Sequence, residues 1–240
     1  MLKATAPGGL LGGLLPEDVA VAELFDAVDG VELFAQEADA VAAAVEKRRR
    51  EFGTVRLCAR RALARLGVAP RPLASDGRGP KWARRAPRWP EGIVGSMTHC
   101  VGYHAAAVAR DASIAALGVD AEPNEPVPEG VCELITLPEE RSVLERLGPA
   151  HPDVHWDRLL FSAKESVYKA WFPLTGRWLD FGQCAITPDP ERGTFTAALK
   201  VPGPVVGGVR VDRFDGQWRV HNGLTVTAVV IPGPTSDRVG

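Results

Sequence analysis

Asp120 and Glu122 close a run, Ala115–Glu122, whose composition predicts a strand stopped by Pro123. The two-residue period of a strand sends both carboxylates to one face and turns Ala121 the other way, into packing. Two adjacent carboxylates repel, and a fold tolerates them most easily with a cation between them. Hard oxygen donors at close range suit Mg²⁺, which keeps several waters and completes its shell with substrate phosphates. A second set of candidates lies between Trp156 and Phe172, where apolar residues at 156, 159, 160, 163, 167, 170 and 171 follow one helical face. Pro173 is expected to end that helix. Arg158, Glu165 and Lys169 fall on the opposite face, with Lys164 to one side. Alone, that face reads as solvated, with an ordinary i, i+4 Glu–Lys pair. Thr98 and His99, expected on a polar turn, and Arg48 and Arg56, expected on a basic helix, add donors for anionic oxygen. Carboxylates for a metal and cations for phosphates together describe a site that holds a polyphosphate and transfers part of it.

The elements that must position these groups are α+β in pattern. Val19–Phe25 reads as a strand, and 39–66 as a helix interrupted or kinked near Gly53 and closed by Gly67. Residues 70–92 form a long Pro- and Gly-rich loop. Strands are expected at 93–100, running into the polar turn, then at 103–110 and 115–122. An acidic stretch, 123–150, carries a short amphipathic helix at 137–147 that is expected to lie between lobes. Further strands are expected at 184–187, 193–199, 209–214, 217–221 and 224–231. A long helix followed by several strands thus occurs once before residue 118 and once after. That echo predicts two similar lobes, 1–117 and 118–240.

The bulk numbers exclude several classes. The 240 residues are 45% apolar and 24% charged, ordinary for a globular chain with room for two cores. Twenty-eight basic against 30 acidic residues give a net charge of −2, so nothing drives the whole chain toward nucleic acid or a membrane. Cysteines at 58, 100, 132 and 184 show no metal or disulfide spacing and fit reduced thiols in the cytoplasm. The glycine-broken stretch Gly8–Leu15 reads as a flexible start and not a secretory signal. His104, on an apolar strand, reads as a satisfied interior histidine, Cys100 as a small buried hydrophobe, and the tryptophans as packing.

Gly118-Val-Asp-Ala-Glu-Pro123, followed by Phe161-Ser-Ala-Lys-Glu-Ser-Val-Tyr-Lys-Ala-Trp171, resembles the paired signature of the 4′-phosphopantetheinyl transferases. Gly95-Ser-Met-Thr-His99 resembles the G-S-x-T-H stretch of the same enzymes, and Lys47–Arg60 resembles their early basic helix. The matching pieces span about residues 45–180. Chain length resembles the two-lobed type that activates surfactin and enterobactin synthetases, not the short trimeric holo-acyl-carrier-protein synthases.

The resemblance implies a pseudo-dimeric α+β fold with the active site in the cleft between lobes. It implies Mg²⁺-dependent transfer of 4′-phosphopantetheine from coenzyme A to a serine of an apo acyl, polyketide or peptidyl carrier protein, releasing adenosine 3′,5′-bisphosphate. Asp120, Glu122 and Glu165 would hold Mg²⁺ on the coenzyme A pyrophosphate. Lys169 would stabilise charge there, with Lys164 also at the phosphates. Arg48, Arg56 and His99 would meet the 3′-phosphate, and Ser96, Met97 and Thr98 the adenosine. Lys81 and Arg85 compete for one further nucleotide contact. Glu165 is the candidate general base, directly or through a water. The first lobe would contact the nucleotide, and the second would carry the metal ligands and dock the carrier. The chain would act as a cytoplasmic monomer, without nucleic acid or membrane partners. The alternative is a protein of this fold that binds coenzyme A or a carrier and turns over weakly.

Overall fold

The computed structural model describes residues 9–73 and 86–234. The first lobe is an antiparallel three-stranded sheet, order β1-β3-β2, made by Ala20–Phe25 (β1), Ile93–Cys100 (β2) and Tyr103–Arg110 (β3). One face carries α2 (Glu46–Arg65), preceded by a single turn pair, α1 (Ala35–Ala40). The second lobe is a five-stranded antiparallel sheet, order β4-β10-β9-β6-β5. Its strands are Ile114–Pro123 (β4), Cys184–Asp189 (β5), Thr194–Leu199 (β6), Arg213–His221 (β9) and Leu224–Pro232 (β10). A two-residue hairpin, Val205–Val206 (β7) with Val209–Arg210 (β8), lies outside it. Helix α5 (Trp156–Thr175) packs on β4 and β10, while α3 (Val131–Ile135) and α4 (Pro138–Ala150) flank α5 and β5. The α+β, two-lobed expectation is met.

β3 explains why the first lobe needs a run of alanines. Ala106 and Val108 face α2, meeting Cys58, Ala59, Ala62 and Leu63. Ala105, Ala107 and Ala109 face the other way, into a cluster shared with Val119 and Ala121 of β4 and Val226 and Ala228 of β10. A strand buried on both faces, close to a helix on one side and a second sheet on the other, has room only for small side chains. Leu10, Leu11 and Leu14 fill the same shared cluster, each 5% exposed or less. Residues 9–15 of the stretch read as a flexible start are therefore packed through these leucines. The carboxylate of Glu23 accepts the Leu11 N–H at 2.7 Å, which anchors it.

Other boundaries differ for local reasons. α2 runs unbroken through Gly53; the break comes earlier, between α1 and α2, and Gly53 serves instead to admit Val31, whose Cβ would stand 3.2 Å from an added methyl. α5 continues past the exposed Pro173 to Thr175 and ends at left-handed Gly176 (φ 63°), so the proline costs only a last-turn bond. The strand expected at 209–214 divides, 209–210 forming β8 and 213–214 joining the strand expected at 217–221 in β9. α3 and α4 pack within the second lobe, not between lobes. The boundary drawn at 117/118 falls inside β4.

The lobes meet where edge strand β2 lies along edge strand β4. No backbone ladder joins them; Ser96 Oγ accepts the Val119 N–H at 3.0 Å and Thr98 Oγ1 accepts the Ala121 N–H at 3.0 Å. Both contacts span 23 residues, so the strands run in the same direction. On its other face β4 receives α5 at backbone contact. A Cβ on Gly118 would lie 1.9 Å from the Ser166 carbonyl oxygen and 2.8 Å from the Ala170 nitrogen. Gly118→Ala should therefore push α5 off β4 and destabilise the chain by about 1–3 kcal/mol, read as a lowered urea midpoint with an unchanged slope. An unchanged midpoint would mean that the helix can retreat freely.

Candidate active site

Asp120, 5% exposed, projects from β4 toward α5 at the seam. Oδ1 accepts the Lys169 ammonium at 2.7 Å and the Thr98 hydroxyl at 3.3 Å; Oδ2 accepts the Ser162 hydroxyl at 2.8 Å. Lys169 donates a second bond to the Val119 carbonyl at 3.0 Å, which leaves one N–H of its three without an acceptor among the described residues. Glu122 leaves the same strand face and pairs with Arg158 at 3.1 Å. Arg158 also donates to the carbonyls of Glu125 and Pro126, tying the loop after β4 to the first turn of α5. Asp157 accepts the Val127 N–H at 2.9 Å and finishes that tie.

Burial, then the neighbouring Asp120, raises the Glu122 carboxyl above its ordinary range, against the pull of Arg158 and Lys169. Burial also raises Glu165, half-buried on the same helix face; Lys169 opposes the rise and Asp120 adds to it. The Glu165 carboxylate has no hydrogen-bond or ion-pair partner among the described residues. Glu165, Tyr168, Trp178 and Phe181 line a narrow cavity beside it. Among the described residues no three His, Cys, Asp or Glu side chains stand close enough to hold one ion; Asp120 and Glu122 are instead each held by a cation.

His99 follows Thr98 on β2, a strand where a turn had been expected. Arg48 donates to its Nε2 at 2.6 Å. Arginine has no acceptor, so the ring is neutral with its proton on Nδ1. Burial, followed by Arg48, accordingly lowers its pKa to about 4. Arg56 is 8% exposed, one nitrogen on the Met97 sulfur at 3.4 Å and its guanidinium over the Phe52 ring at 4.1 Å. It faces Glu37 at 3.7 Å, and burial lowers its pKa to about 10, leaving it charged at neutral pH. Glu37 is fully buried. It also pairs with Arg60 and accepts the backbone N–H groups of Phe34 and Leu73.

Several expected site residues do other work. Lys164, 3% exposed, points away from the carboxylates and spends all its protons on Glu140 (2.8 Å) and the carbonyls of Ile135 (2.7 Å) and Phe181 (2.8 Å). A saturated, buried ammonium has none left for a phosphate, so its expected place at the phosphates is corrected. Ser96 and Thr98 turn their hydroxyls into the seam, onto the β4 backbone; Met97, on the other face, reaches Arg56. Lys81 and Arg85 lie outside the described residues. His104 is 2% exposed and neither ring nitrogen has a partner, contrary to the satisfied histidine expected; its ring stacks 6.1 Å from His99. Cys58 and Cys184 are packing residues whose thiols burial pushes up to about 12. Sequence reasoning missed Ser162 and Glu37. Ser162 carried a usable signal, since it lies four residues after Arg158 and three before Glu165, along the polar stripe.

Comparison with known proteins gives one family throughout. Residues 36–109 match the 4′-phosphopantetheinyl transferase N-terminal domain, and 116–222 match the 4′-phosphopantetheinyl transferase superfamily. The chain is 58% identical to the 4′-phosphopantetheinyl transferase Svp of Streptomyces mobaraensis, over 84% of this chain and 80% of that one. It is 43% identical to the 4′-phosphopantetheinyl transferase PptT of Mycobacterium tuberculosis, over 93% and 99%. With the 4′-phosphopantetheinyl transferase Npt of Nocardia iowensis it shares 44% identity over 90% and 97%.

Removing one partner of a buried ion pair strands the other, typically at 3–5 kcal/mol. Lys164→Ala should therefore cost about 3–5 kcal/mol in equilibrium denaturation, while the folded fraction binds coenzyme A normally. Loss of coenzyme A affinity with stability intact would return Lys164 to the phosphates.

Proposed function

The chain belongs to the 4′-phosphopantetheinyl transferase superfamily, and on that premise we propose that it moves the 4′-phosphopantetheine group of coenzyme A onto a serine hydroxyl of an apo carrier protein. One juxtaposition carries this reading. Consecutive residues of β2 touch both halves of the site: Thr98 bonds the Asp120 carboxylate and His99 bonds Arg48. Carboxylates and a free ammonium N–H thus lie on one side of the seam and cations on the other, the distribution a pyrophosphate with a distal 3′-phosphate calls for.

The serine oxygen would bond to the β-phosphorus of coenzyme A as the phosphoanhydride bond breaks and adenosine 3′,5′-bisphosphate leaves. Alignment and charge neutralisation supply most of such a barrier. Lys169 would place its remaining N–H on the pyrophosphate, and Arg48, aimed by neutral His99, would meet the 3′-phosphate. Arg56 would act there only from its buried place beside Glu37. Glu165, free of hydrogen-bond and ion-pair partners among the described residues and with a raised pKa, is suited to take the serine proton. Asp120, Glu122 and Glu165 would hold Mg²⁺. They supply hard oxygens, and Glu165 is a desolvated carboxylate with no hydrogen-bond or ion-pair partner among the described residues. Once bound, the ion would neutralise phosphate charge. Both sides of the cleft come from one chain, which supports a monomer, and four free cysteines suit the cytoplasm. Acyl, polyketide and peptidyl carriers all fit this chemistry.

With coenzyme A, Mg²⁺ and an apo carrier protein, intact mass spectrometry should show the serine gaining phosphopantetheine, and Glu165→Gln should abolish the gain without unfolding the chain. No gain on any of a panel of carriers would favour a binding protein that does not turn over. Glu122 and Glu165 bind protons more tightly in the folded chain than in the unfolded one. Their stability contribution is therefore full below the ordinary carboxylate range and lost as pH rises through the raised values. A bound divalent ion should restore it, so Mg²⁺ should raise the thermal midpoint at pH 7 and progressively less as the pH falls toward the carboxylate range. A shift that ignores pH would detach these glutamates from the ion.

A further inference from the structure

Three hydroxyls lie fully buried between α5 and β10, where the helix packs on the sheet: Ser162, Ser166 and Thr227, each 0% exposed. A helix–sheet interface normally fills such positions with alanine or valine, because an unsatisfied hydroxyl costs about 1–3 kcal/mol. Here every hydroxyl is bonded, and each carries a single proton, so directions can be assigned. Ser162 Oγ donates to Asp120 Oδ2 at 2.8 Å, since a carboxylate only accepts. The Ser162 oxygen also lies 3.0 Å from Thr227 Oγ1, whose proton must serve that contact and the Ser162 carbonyl at 3.0 Å. Ser166 Oγ, 2.6 Å from Thr227 Oγ1, then donates to it, or to the Thr227 carbonyl at 3.2 Å. With one proton on each hydroxyl, the one assignment that makes a hydrogen bond of every side-chain contact runs from Ser166 through Thr227 and Ser162 to Asp120.

We propose that Ser166, Thr227 and Ser162 form a one-way hydroxyl chain that fixes the orientation of the Asp120 carboxylate, with Ser162 as a positioning residue for metal binding. The inference rests on reading Asp120 as a ligand. With Oδ2 turned into the α5–β10 interface by Ser162, Oδ1 is the oxygen presented toward Lys169 and the cleft. Each hydrogen bond in the chain polarises the next, so the donor at the carboxylate is stronger than an isolated serine. Thr98 supports Oδ1 from the other lobe, which leaves the carboxylate held from both sides of the seam.

Mn²⁺ serves as the probe, because free Mn²⁺ is counted directly by electron paramagnetic resonance without any turnover. The full chain would be titrated with coenzyme A present, alongside its thermal midpoint. Ser162→Ala should weaken Mn²⁺ binding roughly 10-fold, the usual scale for partners of metal ligands. Thr227→Val, which keeps the shape and removes the relay, should weaken it less but measurably. Val167→Ala removes fully buried packing from the same helix and no hydroxyl, so it should lower the midpoint and leave affinity unchanged. If Ser162→Ala and Thr227→Val bind Mn²⁺ like the parent chain while Asp120→Asn does not, the chain is only packing and the proposal falls. It falls too if Val167→Ala loses as much affinity as Ser162→Ala. Unchanged Mn²⁺ binding in Asp120→Asn would overturn the reading of Asp120 as a ligand, and the proposal with it.

Discussion

A carboxylate that is 5% exposed must be compensated where it stands, and the packing around the seam answers that requirement at Asp120. Lys169 supplies the charge, Ser162 and Thr98 supply hydrogen bonds, and each comes from a different direction. For Lys169 and Ser162 to arrive, α5 must lie directly on β4, which is possible only because Gly118 has no side chain. For Thr98 to arrive, β2 must lie along β4, and the Ser96 and Thr98 hydroxyls bridge the two strands. One buried charge therefore fixes a helix, a glycine and the junction of two lobes.

The same device recurs at other joints. Glu37 uses both oxygens to gather Phe34, Leu73, Arg56 and Arg60, drawing the segment before α2 and the start of the proline-rich loop onto the helix. Glu140 holds Lys164, Leu137 and Ile186, locking α4 to α5 and β5. Glu23 holds Leu11 and Tyr103, pinning the N-terminal leucines across the shared core. Each carboxylate accepts backbone N–H groups or a hydroxyl as well as any cation, which is what makes a buried charge tolerable. Such staples suit a protein whose apolar residues divide into separate cores, because they give direction where apolar packing alone would allow sliding.

The sequence made the sheet and helix content legible wherever period and composition agreed, as in β2, β3, β4 and α5, and it offered Asp120, Glu122, Glu165 and Lys169 as candidates for one site. What stayed hidden was tertiary in origin. Gly53 looks like a kink until Val31 packs against it. Gly8–Leu15 looks flexible because its glycines hide three leucines that find partners only in the assembled core. Ser96 and Thr98 give no local sign that their hydroxyls will join two strands, because nothing local says that a second sheet will lie against them. His104 looks like any interior histidine, yet no acceptor reaches either of its nitrogens.

Lys164 and Lys169 show most plainly how far residue type falls short of role. Both are lysines of one motif on one helix, five positions apart. Five residues of helix turn the chain about 140° past a full circle, so the two ammonium groups leave on different sides. Lys164 enters a pocket of carbonyls and a carboxylate that consume every proton it has. Lys169 faces the seam, where Asp120 and a single carbonyl consume two. The unspent proton, not the charge, separates them: Lys169 can donate once more without breaking either of its bonds, whereas a new acceptor at Lys164 would have to unfasten α4 from α5.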